Sequence, residues 1–213
     1  MRALTLVADR RVELLDVADP PAPGAGDVQL RIKAIGLNHL DVWGWRGMAF
    51  AKRKLPLVVG VEAAGEIAAV GAGVTNLKPG DKVVGYGGLT CGHCKACREG
   101  RDNLCENVAG VMGFHVDGFA RDLLNMPARL VIPVPESVSF RDAACAPIAF
   151  GTVQHMLFDN ARLEAARPFW CRPAARASGR ARSRWRSRSA RPSSPRSATT
   201  RKPRRRRRSA PIT

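Results

Sequence analysis

Four of the six cysteines in this 213-residue chain crowd into the stretch CGHCKACREGRDNLC, where Cys91, Cys94, Cys97 and Cys105 follow the pattern C-x2-C-x2-C-x7-C. Two-residue gaps let neighbouring thiolates converge on one tetrahedral ion, and the longer gap lets the chain loop back with a fourth ligand. Four thiolates close the coordination shell and leave no position for water or substrate. The chemistry expected here is therefore structural: one zinc ion holding a loop too poor in apolar residues to fold unaided. A disulfide cluster or a redox C-x-x-C pair are the competing readings, and three cysteines at this pitch plus a fourth suit a metal far better. His93, between the ligands, reads as a surface residue.

The elements that must carry this lobe read as a mostly β domain. DVQLRIKAIGL alternates Val28, Leu30, Ile32 and Ala34 with polar partners, the pattern of a half-buried strand. In PLVVGVEAAGEIAAVGAGV, Gly60, Gly65, Gly71 and Gly73 punctuate an apolar run and predict bends and close backbone approaches rather than helix. LKPGDKVVGY is a turn feeding another strand, and GFARDLL and ARLVIPVP are expected to be strands too. A helix is expected to start at Leu40 behind Asn38, and helical spacing begins behind Ser137 or Ser139 and continues to about Leu163. The sequence shows no internal repeat.

Charge divides the chain. It carries 35 Lys and Arg against 18 Asp and Glu, but 17 of the basic residues and none of the acidic ones lie at or after Arg167, leaving 18 of each sign in 1–166. The basic pI belongs to the last 47 residues alone. The first 166 residues are long enough to bury a sizeable core without staples. With no apolar run of membrane-spanning length and an N-terminus that reaches Asp9 early, a cytoplasmic setting is expected, with no membrane partner.

The cysteine spacing, LKPGDKV and GVEAAGEIAAVGAGV together resemble the catalytic domain of the medium-chain dehydrogenase/reductase superfamily, the zinc-type alcohol dehydrogenases and their quinone-reductase relatives. The family pattern G-H-E-x2-G-x5-G-x2-V is matched by Gly60, Glu62, Gly65, Gly71 and Val74, with Val61 in place of the histidine. The resemblance covers about residues 1–165. It implies a GroES-like β-barrel catalytic domain over 1–136 with the zinc lobe at 91–105, and connecting helices over 137–166. Beyond these it implies a dinucleotide-binding domain for NADH or NADPH, whose binding residues are not identified in this chain. The partner it implies is a small-molecule substrate, with self-association of the chain as a further expectation.

The departures from the family change the expected chemistry. Catalytic zinc in the alcohol dehydrogenases takes ligands at positions that align here with Asn38, Val61 and Ala149. An amide, an isopropyl group and a methyl cannot hold Zn²⁺. His39 and Cys145 are near in sequence but align elsewhere. Hydride delivery to a simple ketone leaves an alkoxide that wants a Lewis acid, whereas delivery to a quinone or a conjugated alkene leaves a delocalised anion that hydrogen-bond donors can stabilise. GLNHLD is similar to the G-x-N-x-x-D of quinone reductases. By that resemblance Asn38 would orient substrate or cofactor and Asp41 would hold its loop. The alternative for Asn38 is a simple helix cap, and Glu62 is either a cleft residue or a buried structural carboxylate. Reduction of quinones or activated alkenes without a catalytic zinc is the leading expectation, with an alcohol dehydrogenase using other catalytic ligands second.

Where the family would continue with a strand and a glycine-rich turn, residues 167–213 run RPFWCRPAARASGRARSRWRSRSA and on to Arg204–Arg208. Such a composition cannot pack a core and is expected to be disordered. Reading each codon as its neighbour's last base plus its own first two turns Trp170 and Cys171 into Leu-Val whatever the degenerate bases are. With G at the free third positions a glycine-rich turn follows. The expectation is a shifted reading frame, with the coenzyme domain absent and this chain inactive by itself. A nucleic-acid-binding arm is the rival from another functional class, and non-specific binding to RNA is expected of the charge in either case.

Overall fold

The computed structural model describes residues 1–47 and 53–164. Two antiparallel sheets carry the core. The smaller has three strands: β1 (Arg2–Ala8) lies between β2 (Arg11–Asp16) and β4 (Leu57–Val58). The larger has five, in the order β7 (Leu123–Pro127), β3 (Asp27–Gly36), β5 (Glu62–Val70), β6 (Lys82–Gly85) and β8 (Val131–Pro133).

The alternation in β3 behaves as expected. Val28 and Leu30 are buried, and with Ile67, Val83, Phe119, Leu124 and Met126 they form the main apolar cluster. The alternation then breaks, because the pairing with β5 shifts register between Ile32 and Ala34. The expected glycine roles also appear. A Cβ on Gly65 would lie 2.2 Å from the Arg31 carbonyl oxygen, so β3 and β5 approach as closely as they do only with glycine there. Gly60 sits at φ +96°, a conformation other residues rarely adopt, and turns the chain into the strand that carries Glu62.

Three local expectations need correction. GFARDLL is a strand only from Leu123. Before that, Gly118, Phe119 and Ala120 donate their amides to Val58, Gly60 and Val59, while Ala120 accepts from Leu4 and Asp122 from Ile32. This segment stitches the two sheets together, and serving both leaves it irregular. In ARLVIPVP, the strand shrinks to Val131–Pro133 after a tight turn over Ala128–Leu130, since the prolines cannot continue a ladder. The helix capped by Ser139 is real at its start, where Oγ accepts the Asp142 N–H at 3.1 Å. It continues only in pieces, α3 (Phe140–Ala143) and α4 (Gly151–Gln154), joined and followed by wider turns such as Phe150 N–H to Cys145 C=O at 3.2 Å. Pro147 has no amide to give, and the next two amides are drawn elsewhere, as described below.

The β1–β2 hairpin gave no turn signal, because its corner is Arg10 at φ +64° rather than glycine or asparagine. The Arg10 amide reaches the Trp45 carbonyl at 2.6 Å, a long-range anchor that compensates for the strained corner. No helix among the described residues is long and apolar enough to cross a membrane. The expectations for 167–213, disorder and a shifted frame included, lie outside the described residues.

Candidate functional site

The cysteine lobe gathers as its spacing predicts. The four Sγ atoms of Cys91, Cys94, Cys97 and Cys105 all lie within 4.8 Å of one another, with Cys91 and Cys97 at 3.9 Å. Four thiolates around a zinc at about 2.3 Å require separations of this order, so the residues fit that ion. Cys94 caps a single helical turn, α2 (Lys95–Arg98), its sulfur accepting the Cys97 N–H at 3.5 Å. The Cys94 amide points at the Cys91 sulfur and the Cys91 amide at the Cys105 sulfur, each at 3.3 Å. The backbone thus wraps the sulfurs in donors.

Their charge is unequally shared. Amides of His93 and Cys94 hold the Cys91 thiol down at about 6, and amides of Cys97 and Glu106 lower Cys94. Burial first, then the neighbouring thiols, pushes Cys97 up to about 12. Thiols packed this closely compete for negative charge, and a cation at their centre lets all four ionise together. His93 is exposed and not part of the cluster, its Nδ1 3.0 Å from the Cys91 carbonyl oxygen. Arg129 was not anticipated: its guanidinium contacts both the hydroxyl and the carbonyl oxygen of Thr90, clamping the lobe's entry to the core. Nothing in an arginine beside a strand signals such a contact.

Asn38, Asp41 and Glu62 meet at a second place. Helix α1 (His39–Trp45) begins at Asn38 in a capping-box arrangement, with Asp41 Oδ2 accepting the Asn38 N–H at 2.7 Å. Asn38 is thus a helix cap, and its side chain also turns into the fold: Nδ2 donates to Glu62 Oε1 at 2.7 Å. Glu62 is 1% exposed and opens β5 opposite Gly36. A Cβ on Gly36 would fall 2.3 Å from Glu62 Oε1, so glycine makes the room the carboxylate occupies. Oε2 accepts the amides of Ile148 at 2.7 Å and Ala149 at 3.4 Å. These are the amides missing from the helix after Pro147. One buried carboxylate ties α1, β5 and the C-terminal helical segment together.

Burial pushes Glu62 upward from the usual carboxylate range and Asp41 adds to the push, while the Asn38 amide and the Ile148 and Ala149 N–H groups pull it back. Burial also raises Asp41, opposed first by the Asn38 N–H. The amides of Gly60 and Val61 oppose it as well without closing a hydrogen bond to Oδ1, which is buried and has no partner among the described residues. Val61 is fully buried and Ala149 is 7% exposed, and neither side chain has an atom that can ligate a metal. Among the described residues the four cysteines are the one cluster able to hold a metal. Cys145 lies apart, its Sγ directed at the Arg141 carbonyl at 3.8 Å, and His39 packs edge-on against Trp43 at 5.3 Å.

The model of the alcohol dehydrogenase GroES-like domain matches residues 24–136, more than half of the chain. The chain belongs to that family. An L-threonine 3-dehydrogenase of Francisella philomiragia is 38% identical over 142 residues, which cover 65% of this chain and 40% of that protein. An NAD-dependent alcohol dehydrogenase structure superposes with a TM-score of 0.73 at 38% identity, covering 78% of this chain and 49% of the other. A cobalt- and zinc-bound thermostable alcohol dehydrogenase from Pyrobaculum aerophilum superposes with the same TM-score at 28% identity, over 88% of this chain and 56% of its own. The chain spans less than half the length of the curated relatives it matches. In this alcohol dehydrogenase GroES-like domain the two sheets are the scaffold, and the cysteine cluster is consistent with a structural zinc.

Proposed function

We propose that this domain serves a cytoplasmic NAD(P)H-dependent reductase of quinones or activated alkenes, with one structural zinc held by Cys91, Cys94, Cys97 and Cys105 and none at the substrate. The observation that carries the reading is the group of half-buried Asn38 and Asp41 around buried Glu62, beside which Val61 and Ala149 supply apolar side chains where a catalytic metal would need donors. A bound nicotinamide coenzyme would supply the hydride. Asn38 orients the substrate or cofactor from a side chain locked by Glu62, Asp41 holds the Asn38 backbone, and Glu62 fixes the helical segment that closes this side of the cleft.

In this reading residues 167–213 are an out-of-frame remnant, and the 213-residue chain is inactive alone. Inserting one base near codon 166 should open a frame encoding a strand, a glycine-rich turn and further βα units, and the product should bind NAD(P)H and reduce quinones or enones. Steady turnover by the 213-residue chain, or an early stop codon in the alternative frame, overturns it. Oxidation of an alcohol is the second reading, favoured by relatives that are L-threonine and alcohol dehydrogenases. Alcohol-dependent NAD(P)⁺ reduction by the repaired enzyme, with no quinone or enone activity, decides for it.

A further inference from the structure

A groove of about 340 Å³ lies away from both sites, between the two sheets. None of its lining residues belongs to the Asn38–Glu62 group or the cysteine lobe. Leu4, Leu14, Ile32 and Ile35 supply apolar walls, and the register shift between Ile32 and Ala34 lets residues 32–35 of β3 all reach it, where a regular strand would alternate. Leu14 is 62% exposed at the edge of this groove, an apolar surface without cover.

The charged residues of the groove are unequally matched. Lys33 pairs with Glu66 at 3.1 Å. Asp122, the one acid in the lining, accepts the Arg2 amide at 2.8 Å and has the Arg2 guanidinium at 3.9 Å. Arg121 is matched more loosely. Its side chain is 18% exposed, its nearest carboxylate, Asp117, is 3.9 Å away, beyond hydrogen-bond reach, and Nε is buried with no partner among the described residues. Asp117 is itself engaged, its Oδ1 accepting the Val58 N–H at 2.9 Å. Burial disfavours the Arg121 charge, and Asp117 offsets that only in part. A buried guanidinium donor without an acceptor is costly to keep, and a planar carboxylate is the shape its fork matches.

We propose that this groove binds a carboxylate with an unbranched apolar tail, of the size of a medium-chain fatty acid, the carboxylate meeting Arg121 and the tail lying on Leu4, Leu14 and Ile35. The volume falls within the range of small-molecule sites, which combine apolar walls with a few polar anchors. The site is independent of the reductase reading, and its test needs no turnover.

The test titrates the zinc-loaded 213-residue chain with octanoate by calorimetry, against octanol and inorganic phosphate, while the ¹⁵Nε signal of Arg121 is followed. Octanoate should bind one-to-one and shift that signal, and octanol and phosphate should each bind at least tenfold more weakly. R121M should weaken octanoate at least tenfold, whereas adventitious binding to the basic residues at 167–213 would be the same in both variants. L14E, at an exposed position that should tolerate the change, should also repel the ligand. The proposal fails if R121M folds and binds octanoate as tightly as the parent, or if L14E binds it unchanged. It also fails if phosphate matches octanoate, which would mark a bare anion site.

Discussion

The cysteine lobe and the Asn38–Glu62 group are both sets of polar side chains drawn together inside one domain, and they solve the problem of clustered charge in opposite ways. In the lobe four potential thiolates crowd within 4.8 Å, and the arrangement makes sense only around a cation. In the cleft a carboxylate that is 1% exposed is satisfied by an amide side chain and two backbone N–H groups, with no cation side chain involved. The first is a small loop region borrowing its stability from a metal. The second is a piece of the core whose donors are supplied by the fold, an amide side chain and two backbone N–H groups.

The largest effect should come from breaking the lobe. C97S removes one of four ligands, and the metal content should fall from about one zinc per chain to near none, since structural sites depend on the closed four-ligand shell. Proteolysis within 91–105 should accelerate while the five-stranded sheet persists, as read by limited digestion and circular dichroism. Two tightly held zincs in the parent protein would break the comparison outright. Restoring donors in the cleft tests the same contrast from the other side. N38C alone should leave the zinc count at one, because Val61 and Ala149 still offer no ligand. N38C combined with V61H and A149C should raise it toward two, measured by metal analysis after dialysis.

A third change tests the cleft as a piece of the core. E62A should leave the zinc content unchanged and destabilise the domain by roughly 3 kcal/mol, because three donors lose a buried acceptor at about 1 kcal/mol or more each. Urea unfolding checks it, and a loss below about 1 kcal/mol would mean that the carboxylate is dispensable to packing.

The cysteine cluster of the lobe was legible in the sequence because its chemistry is local, four cysteines within fifteen residues, whereas the Arg129 clamp on Thr90 was not. The cleft was legible only in part. Asn38, Asp41 and Glu62 could be named as candidates, but nothing local to GLNHLD or GVEAAG says that Nδ2 of one would reach Oε1 of another 24 residues on. The amides of Ile148 and Ala149 were invisible for the same reason, and the helix expected there was drawn too regular because a buried acceptor 86 residues earlier takes its donors. The alternation of Val28 and Leu30 located β3, while the bulge at Ile32 to Ala34 answers to its partner strand and left no mark in β3 alone. The β1–β2 hairpin, cornered on Arg10, carries no turn signature at all.

The smallest expected effect concerns pH. Burial raises both Glu62 and Asp41 above the ordinary carboxylate range, and the Asp41 charge adds to Glu62's difficulty in ionising. A carboxyl whose folded pKa lies above its unfolded one holds its proton more tightly when folded. Its contribution to stability is therefore fully present below the ordinary carboxylate pKa and is lost as pH rises through the raised value. The opposite dependence belongs to Asp81, which Lys78 holds low from an exposed turn, and whose contribution fades only as pH falls below the ordinary range. Unfolding free energy, followed by urea titration with zinc kept saturating, should thus decline from just above the ordinary carboxylate pKa toward neutrality. The decline should be on the order of 1 kcal/mol for each tenfold difference in proton affinity between the folded and the unfolded chain. E62Q should flatten that decline although it weakens the domain at every pH, because its Nε2 would face either the Ile148 and Ala149 amides or Asn38 Nδ2, donor against donor, unless the Asn38 amide flips. A decline as steep in E62Q as in the parent would move the cause away from Glu62 and leave Asp41, whose Oδ1 has no partner among the described residues, as the group responsible.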